Sequence, residues 1–307
     1  MKVLIVRYSA IGDVLMATWA ASALRQACPE ATVDWLLESR CAPVVDAGRL
    51  VDHRLEVPRK RPDGSRTPGA TRATLGLFAR LRRERYDVGV DLQGHAKTAI
   101  ALRLIAPRQR YLARAKDALA ARMAPVLPSV RTHHAEIAAD VLGRACDLPL
   151  HVSPEARPII PPAPPRDPGL ATIAVSAGRP ERALAPAAIT ETARGLVARG
   201  LRVELIGGPN DRAPEDLGGA TDRVGKMSLA ETLARVGESG LLVAGDTGAG
   251  HMAAAYGTPV VSVFGPAPSA WTRPFTDRLE LIEGGARTDT VSGETILAAV
   301  DRLRGRG

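Results

Sequence analysis

Four short segments of this 307-residue chain set polar or charged side chains beside glycine where an apolar run ends. The first is Ser9-Ala10-Ile11-Gly12-Asp13, which follows the run Val3–Val6 after Arg7 and Tyr8. Gly12 lets the backbone turn tightly, and Asp13 falls at the start of an apolar stretch of helical character. An Asp there has two readings. It is a cap that accepts a backbone N–H, or a general base aimed into a cleft, ready to take a proton from a hydroxyl. Spacing alone leaves both open.

The second segment is Ala244-Gly245-Asp246-Thr247-Gly248-Ala249-Gly250-His251. A glycine-rich turn that opens a helix offers free N–H groups and a positive helix end to phosphate oxygens. Thr247 adds a hydroxyl donor, and His251, one turn later, shares its face. Asp246 holds the turn or meets sugar hydroxyls; it does not face a diphosphate, because two anions repel. A buried structural histidine is the other reading of His251. The segment lacks the Gly-Lys-Ser/Thr of a P-loop.

The third segment, Ser176 to Arg182, carries Gly178, where a ligand could approach closely, and Arg179 and Arg182, whose guanidiniums suit a diphosphate. Two solvated arginines are the alternative. The fourth runs Ile206-Gly207-Gly208-Pro209-Asn210-Asp211, and an acid at such a strand end can accept both ribose hydroxyls. Met227, just beyond, offers an adaptable apolar wall to a nucleobase or is plain core. Two basic patches, Arg59-Lys60-Arg61 and Arg114 with Lys116, suit an anionic partner or simply face solvent.

The elements that must position these residues alternate. Strands are expected at Met1–Tyr8, Thr32–Glu38, His53–Val57 and Tyr86–Leu92, with helices at Asp13–Ala27, Leu75–Arg85, Gly94–Leu104 and His133–Cys146. Residues 149–168 then carry eight prolines, through which neither helix nor central strand should run. A semi-rigid linker is expected there. Afterwards the alternation restarts: strands at Thr172–Ser176, Arg202–Ile206, Leu241–Gly245 and Pro259–Phe264, helices at Pro186–Arg199, Ser228–Val236, His251–Tyr256 and Glu294–Leu303. This is the pattern of α/β domains with parallel sheets. Two doubly wound, Rossmann-like domains are expected, 1–150 and 169–307, with 151–168 between them. Ligands in such sheets sit at strand carboxyl ends near the switch point, so the cleft between two such domains is the expected site.

Composition narrows the classes. The formal net charge is +8, which favours anionic partners such as a diphosphate, an anionic glycolipid or a membrane surface. An arginine-rich solvated surface explains it equally. Aromatics are only 3 % of the chain, and none interleave with a basic run, so nucleic acid is not expected. Three cysteines at irregular spacing argue against a disulfide framework or a zinc site. No paired-carboxylate motif for a magnesium diphosphate is present, so no metal and no cofactor are expected. The opening run is too short and too charged for a signal segment, and nothing approaches the length of a membrane span. A cytoplasmic protein is expected, with peripheral contact at the inner membrane face left open by the charge.

Taken in order, the motifs resemble glycosyltransferase family nine, the lipopolysaccharide heptosyltransferases, over nearly the whole chain. The resemblance rests on S-x-x-G-D (Ser9, Gly12, Asp13), D-x-Q-G with a lysine three residues on (Asp91, Gln93, Gly94, Lys97), K-M-S-L (Lys226–Leu229), D-T-G-x-x-H (Asp246–His251) and the F-G-P turn (Phe264, Gly265, Pro266). It implies a GT-B fold and metal-independent, inverting transfer of heptose from ADP-heptose to a glycan acceptor such as a lipopolysaccharide core. On that basis Asp13 would be the base. Arg182, Asp211, Met227, Asp246, Thr247, Gly248 and His251 would serve the donor, with Arg182 standing where the family carries a phosphate-binding lysine. The glycine turns and charges read above add Gly12, Gly178 and Arg179 to that set. Gln93 and Lys97 of the D-x-Q-G segment are expected on the acceptor side, with the basic residues Arg114 and Arg59–Arg61. The chain departs from the family's Lys-Arg-Trp-Pro at Arg182-Ala183-Leu184-Ala185-Pro186, where the aromatic is missing. Rival readings are another acceptor, such as a secondary-metabolite core, another nucleotide sugar, a nucleotide-sugar epimerase, or a non-catalytic binding protein of this fold.

Overall fold

The structure is a computed structural model that describes residues 1–57, 69–175 and 178–305. Arg59, Lys60, Arg61, Ser176 and Ala177 therefore lie outside the described residues. The chain forms two compact units, Met1–Val152 with Pro158–Pro161, and Ser153–Arg157 with Pro162–Gly307.

The first unit runs β1 (Lys2–Val6), α1 (Ile11–Ala27), β2 (Thr32–Glu38), β3 (His53–Val57), α2 (Ala70–Arg83), β4 (Val88–Asp91), α3 (Ala96–Ile105), β5 (Gln109–Leu112), α4 (Ala118–Ala121) and α5 (His134–Cys146). Its sheet has the order β3-β2-β1-β4-β5, and every pairing is parallel. Central strands of such a sheet are covered on both faces and read as solid apolar runs. Val3, Leu4, Ile5 and Val6 of β1 are accordingly fully buried. Helix α1 is buried continuously from Val14 to Leu24 and packs on α5. Its Ser22 hydroxyl accepts the Ile159 N–H at 2.8 Å, which ties the proline-rich stretch to this unit. The strand order reverses between β1 and β4, so their carboxyl ends form the switch point.

The second unit runs β6 (Asp167–Ala174), α6 (Pro186–Ala198), β7 (Arg202–Ile206), β8 (Thr221–Asp222), α7 (Leu229–Glu238), β9 (Ser239–Ala244), α8 (Gly248–Tyr256), β10 (Val260–Phe264), α9 (Ser269–Thr272), β11 (Leu279–Glu283) and α10 (Gly293–Arg304). The order is β11-β10-β9-β6-β7-β8, again parallel throughout. Here the switch point lies between β6 and β9. Helix α6 begins on Pro186, the position where a missing N–H costs nothing. Helix α7 has a full capping box between Ser228 and Glu231. Helix α10 packs on α6, β10 and β11.

Two features differ from the sequence expectation. Strand β6 starts at Asp167 and runs through Pro168, although a proline was expected to bar a central strand. The β6–β9 register breaks between Asp167 and Ala171, which absorbs the missing donor. Gly240 makes room beside it, since a Cβ there would lie 2.7 Å from the Pro168 Cα. Strands β5, β8 and β11 were not foreseen. β5, β8 and β11 are the outer strands of their sheets, and Gln-Arg-Tyr-Leu or Leu-Glu-Leu-Ile-Glu does not read as a solid apolar run.

Candidate functional site

In the first unit, the chain leaving β1 brings Arg7 and Asp13 together. Helix α1 starts at Ile11 with Ala10 as its cap, so Asp13 is the third residue of the helix and not the cap itself. Its Oδ2 accepts the Ala10 N–H at 3.3 Å. Its Oδ1 lies 2.7 Å from Arg7 Nη2 and 3.8 Å from His134 Nδ1. Burial pushes the Asp13 carboxyl up, but Arg7, His134 and the Ala10 N–H outweigh it and hold it well below the usual carboxylate range. Arg7 is itself only 4 % exposed and donates to the Leu92 carbonyl. A buried guanidinium needs such partners, and Asp13 is one of them. The carboxylate is thus ionised, fixed on one side, and still 30 % exposed.

A cavity of about 490 Å³ opens on this group, lined by Arg7, Asp13, Met16, Leu92, Arg114 and His134 among others. Arg114 follows β5, and its Nη1 lies 3.3 Å from His134 Nε2. Gly94 makes this placement achievable. It has φ +75°, and a Cβ there would lie 2.0 Å from the Arg114 carbonyl oxygen. Gln93 is buried, with its Oε1 accepting the Tyr8 N–H at 2.8 Å. Asp91 accepts the N–H groups of Gln93 and Gly94. Burial pushes its carboxyl up against those bonds.

Lys97 sits elsewhere. It donates to Glu38 at 3.0 Å, lies 5.4 Å over the Tyr8 ring, and lines a second cavity of about 510 Å³ with Tyr8, Glu38, Leu75 and Phe78. The structure therefore joins Asp13 and Arg114 but places Lys97 on another wall. Two residues of the Asp13 cluster were not singled out from sequence. In the sequence Arg7 is only a charge that breaks the opening apolar run. His134 carried none, being one of two adjacent histidines at a helix start.

In the second unit, the residues at the carboxyl ends of β6 and β9 meet. The turn Pro180–Arg182 is anchored by Thr288, whose hydroxyl donates to the Ala183 carbonyl at 2.8 Å. Arg182 Nη1 then lies 3.0 Å from Asp246 Oδ2. Burial pushes the Asp246 carboxyl up, and Arg182 offsets only part of that. Thr247 is the cap residue of α8, yet its side chain makes no capping bond. Its buried hydroxyl has no hydrogen-bond partner among the described residues. Gly248 begins the helix, and His251 is buried within it. A free hydroxyl and free N–H groups at a helix start, beside a guanidinium, form an anion-binding arrangement.

Gly245 explains how the two turns approach, because a Cβ there would lie 2.4 Å from the Arg182 carbonyl oxygen. Gly245→Ala is expected to cost about 1–3 kcal/mol through overpacking. Gly178→Ala, where a Cβ would meet nothing within 4 Å, should stay within about 0.5 kcal/mol. Urea unfolding of the two variants checks this, and equal stability would contradict it.

The remaining residues expected to serve a donor are spread along neighbouring strand ends. Arg179 is exposed, 3.9 Å from Glu181. Asp211, after β7, accepts the Gly208 N–H at 2.7 Å and so closes its own turn. Met227 is half-buried after β8. Leu184, in the place of the missing aromatic, belongs to the core of this unit. Among the described residues no group of three or more His, Cys, Asp or Glu side chains is placed to hold a metal ion. No helix among the described residues is long and apolar enough to cross a membrane.

No curated protein sequence matches the chain. Solved structures do. The Escherichia coli ADP-heptose lipopolysaccharide heptosyltransferase II is 18 % identical with a TM-score of 0.79, covering 100 % of this chain and 99 % of that one. The E. coli heptosyltransferase WaaC, solved with ADP-2-deoxy-2-fluoro heptose, is 20 % identical with a TM-score of 0.80, covering 98 % and 99 %. A family 9 glycosyl transferase from Veillonella parvula is 16 % identical with a TM-score of 0.78, covering 100 % and 97 %. This likeness establishes the GT-B fold expected from the sequence. The model of glycosyltransferase family 9 (heptosyltransferase) matches residues 74–292, well over half of the chain. The chain belongs to glycosyltransferase family 9, the heptosyltransferase family.

Proposed function

We propose that this glycosyltransferase moves a heptose from ADP-heptose to a hydroxyl of an anionic glycan such as a lipopolysaccharide core, with inversion and without a metal ion. The observation that carries the reading is Asp13. It is an ionised, partly exposed carboxylate at a strand carboxyl end, on the wall of a 490 Å³ cavity that also holds Arg114. The two E. coli relatives described above are heptosyltransferases, and one was solved with an ADP-heptose analogue.

In this reading the acceptor hydroxyl attacks the anomeric carbon from the face opposite the diphosphate. The new C–O bond forms as the bond to the diphosphate oxygen breaks, and ADP leaves with that electron pair. A carboxylate as stabilised as Asp13 is a weak base. It does not ionise the free hydroxyl beforehand; it takes the proton as the attacking oxygen becomes positive and strongly acidic. The leaving diphosphate meets Arg182, the Thr247 hydroxyl, the N–H groups at Gly248, and His251, which together stabilise developing negative charge. Gly178 leaves open space beside this group, and Arg179 adds a second cation. Asp246 holds Arg182 and stands near the sugar. Asp211 takes the ribose, and Met227 walls the adenine. The acceptor's anionic groups meet Arg114 and the Arg59–Arg61 run, Gln93 supports the wall from behind through Tyr8, and Lys97 serves only an acceptor long enough to reach the second cavity. The net charge of +8 suits a cytoplasmic enzyme working peripherally at the inner membrane face.

Calorimetry tests the donor half. ADP should bind in the presence of a chelator, and more tightly than UDP. Binding that requires magnesium, or a clear preference for UDP, would overturn it.

A further inference from the structure

The mechanism above gives His134 no task, yet His134 is the residue that joins Asp13 to Arg114. It is the first residue of α5, with its side chain 20 % exposed. Its Nε2 lies 3.3 Å from Arg114 Nη1. A guanidinium carries donors only and stays charged. Nε2 must therefore present its lone pair, and the proton of the neutral ring resides on Nδ1. A doubly protonated ring would set an N–H against an N–H.

That tautomer aims Nδ1–H at Asp13. Nδ1 is buried and has no hydrogen-bond partner among the described residues, and the anion near it is Asp13 Oδ1 at 3.8 Å. This is an electrostatic contact, longer than a formed hydrogen bond. Such contacts are often long without substrate and tighten in the complex. Oδ1 then has Arg7 Nη2 at 2.7 Å and the imidazole N–H facing it. Among the described residues, Oδ2 accepts the Ala10 N–H alone, at 3.3 Å. The two oxygens are unequal.

We propose that His134, held in its Nδ1–H tautomer by Arg114, is a positioning residue for Asp13. It engages Oδ1 and leaves Oδ2 as the atom that takes the acceptor proton. Arg114 then has two tasks, fixing the ring with Nη1 and facing acceptor anions with the rest of its guanidinium. The proposal rests on the reading of Asp13 as the base.

Two substitutions separate positioning from mere packing. His134→Leu keeps bulk but removes both nitrogens. His134→Gln restores one acceptor for Arg114 and one N–H for Asp13. With saturating substrates, His134→Leu should lower kcat about 10- to 100-fold, the scale of a slightly misplaced catalytic group, with donor KM unchanged. His134→Gln should remain within about threefold of wild type in the same assay. Arg114→Met should also lower kcat, and adding it to His134→Leu should cost little more, because both remove one coupled unit. Wild-type kcat in His134→Leu, or a Gln variant as slow as Leu, overturns the proposal while Asp13→Asn stays about two or more orders of magnitude below wild type. If Asp13→Asn is itself as fast as wild type, the reading of the base falls, and the role of His134 with it.

Discussion

Asp13→Asn should fold normally, bind ADP as wild type does, and transfer sugar about two to four orders of magnitude more slowly, the range set by loss of a general base. Asp13 belongs to the first unit, whereas the proposed nucleotide site lies in the second, so donor affinity should not change. The structural alternative predicts something else. Asp13 is the third residue of α1 and its carboxylate accepts the Ala10 N–H, so a purely structural role would cost about 1 kcal/mol of stability and leave the chemical step alone. Asn retains an oxygen for that N–H but has no basic lone pair. Near wild-type turnover in a stably folded Asn protein would assign Asp13 to helix architecture and send the search for the base elsewhere. A pH profile adds a second check. Arg7 holds the Asp13 carboxyl well below its ordinary value of 3.8. The base is thus already ionised at pH 5, and kcat/KM should show no acid limb from Asp13 between about pH 5 and 8.

Arg182→Ala is expected to slow transfer by about 10²- to 10³-fold, the usual cost of deleting one preorganised donor to a developing negative charge. Arg182→Lys should fall between, since it keeps the charge and loses the planar fork. The Ala variant also has a stability signature. Asp246 is only 6 % exposed and its carboxyl is already pushed up by burial. Without Arg182 it is pushed further. An acid whose folded pKa is raised binds its proton more tightly in the folded state, so folding is favoured at low pH and penalised as pH rises. The stability gap between Arg182→Ala and wild type should therefore be small near the ordinary value of 3.8 and widen toward neutral pH. Melting temperatures measured across that range check it. A gap that is constant with pH would mean that Arg182 does not compensate the Asp246 charge.

The sequence made the fold readable wherever strands lie in the sheet centre. β1 and β9 are buried along most of their length and carry the unbroken apolar runs Val-Leu-Ile-Val and Leu-Leu-Val-Ala, while β2 and β4 are just as buried with Asp34 and Asp91 among their apolar residues. β5 and β11 were missed because a sheet edge relaxes that demand. Pro168 misled for a related reason. The rule against proline in a central strand holds only where the ladder is regular, and here the register breaks. The site was legible in part. Asp13, Arg182 and the Asp246–His251 turn stood out because glycine and charge at a strand end form a local pattern. Arg7 and His134 contribute to the Asp13 cluster through contacts made across the fold, by a residue six positions earlier and one on α5. No local spacing encodes such contacts. The Arg182–Asp246 pair is of the same kind, since each residue was visible alone and only the packing of Gly245 against the Arg182 backbone shows why they meet.

The most direct test of the central claim is a product assay. The purified protein would be incubated with ADP-heptose, a heptose-free lipopolysaccharide core acceptor and a chelator, and the acceptor then analysed by mass spectrometry and its new anomeric centre by NMR. The account predicts acceptor carrying one added heptose, of anomeric configuration opposite to the donor, with an equal amount of ADP released. Retained configuration, dependence on added metal, or transfer from another nucleotide sugar in preference to ADP-heptose would contradict it.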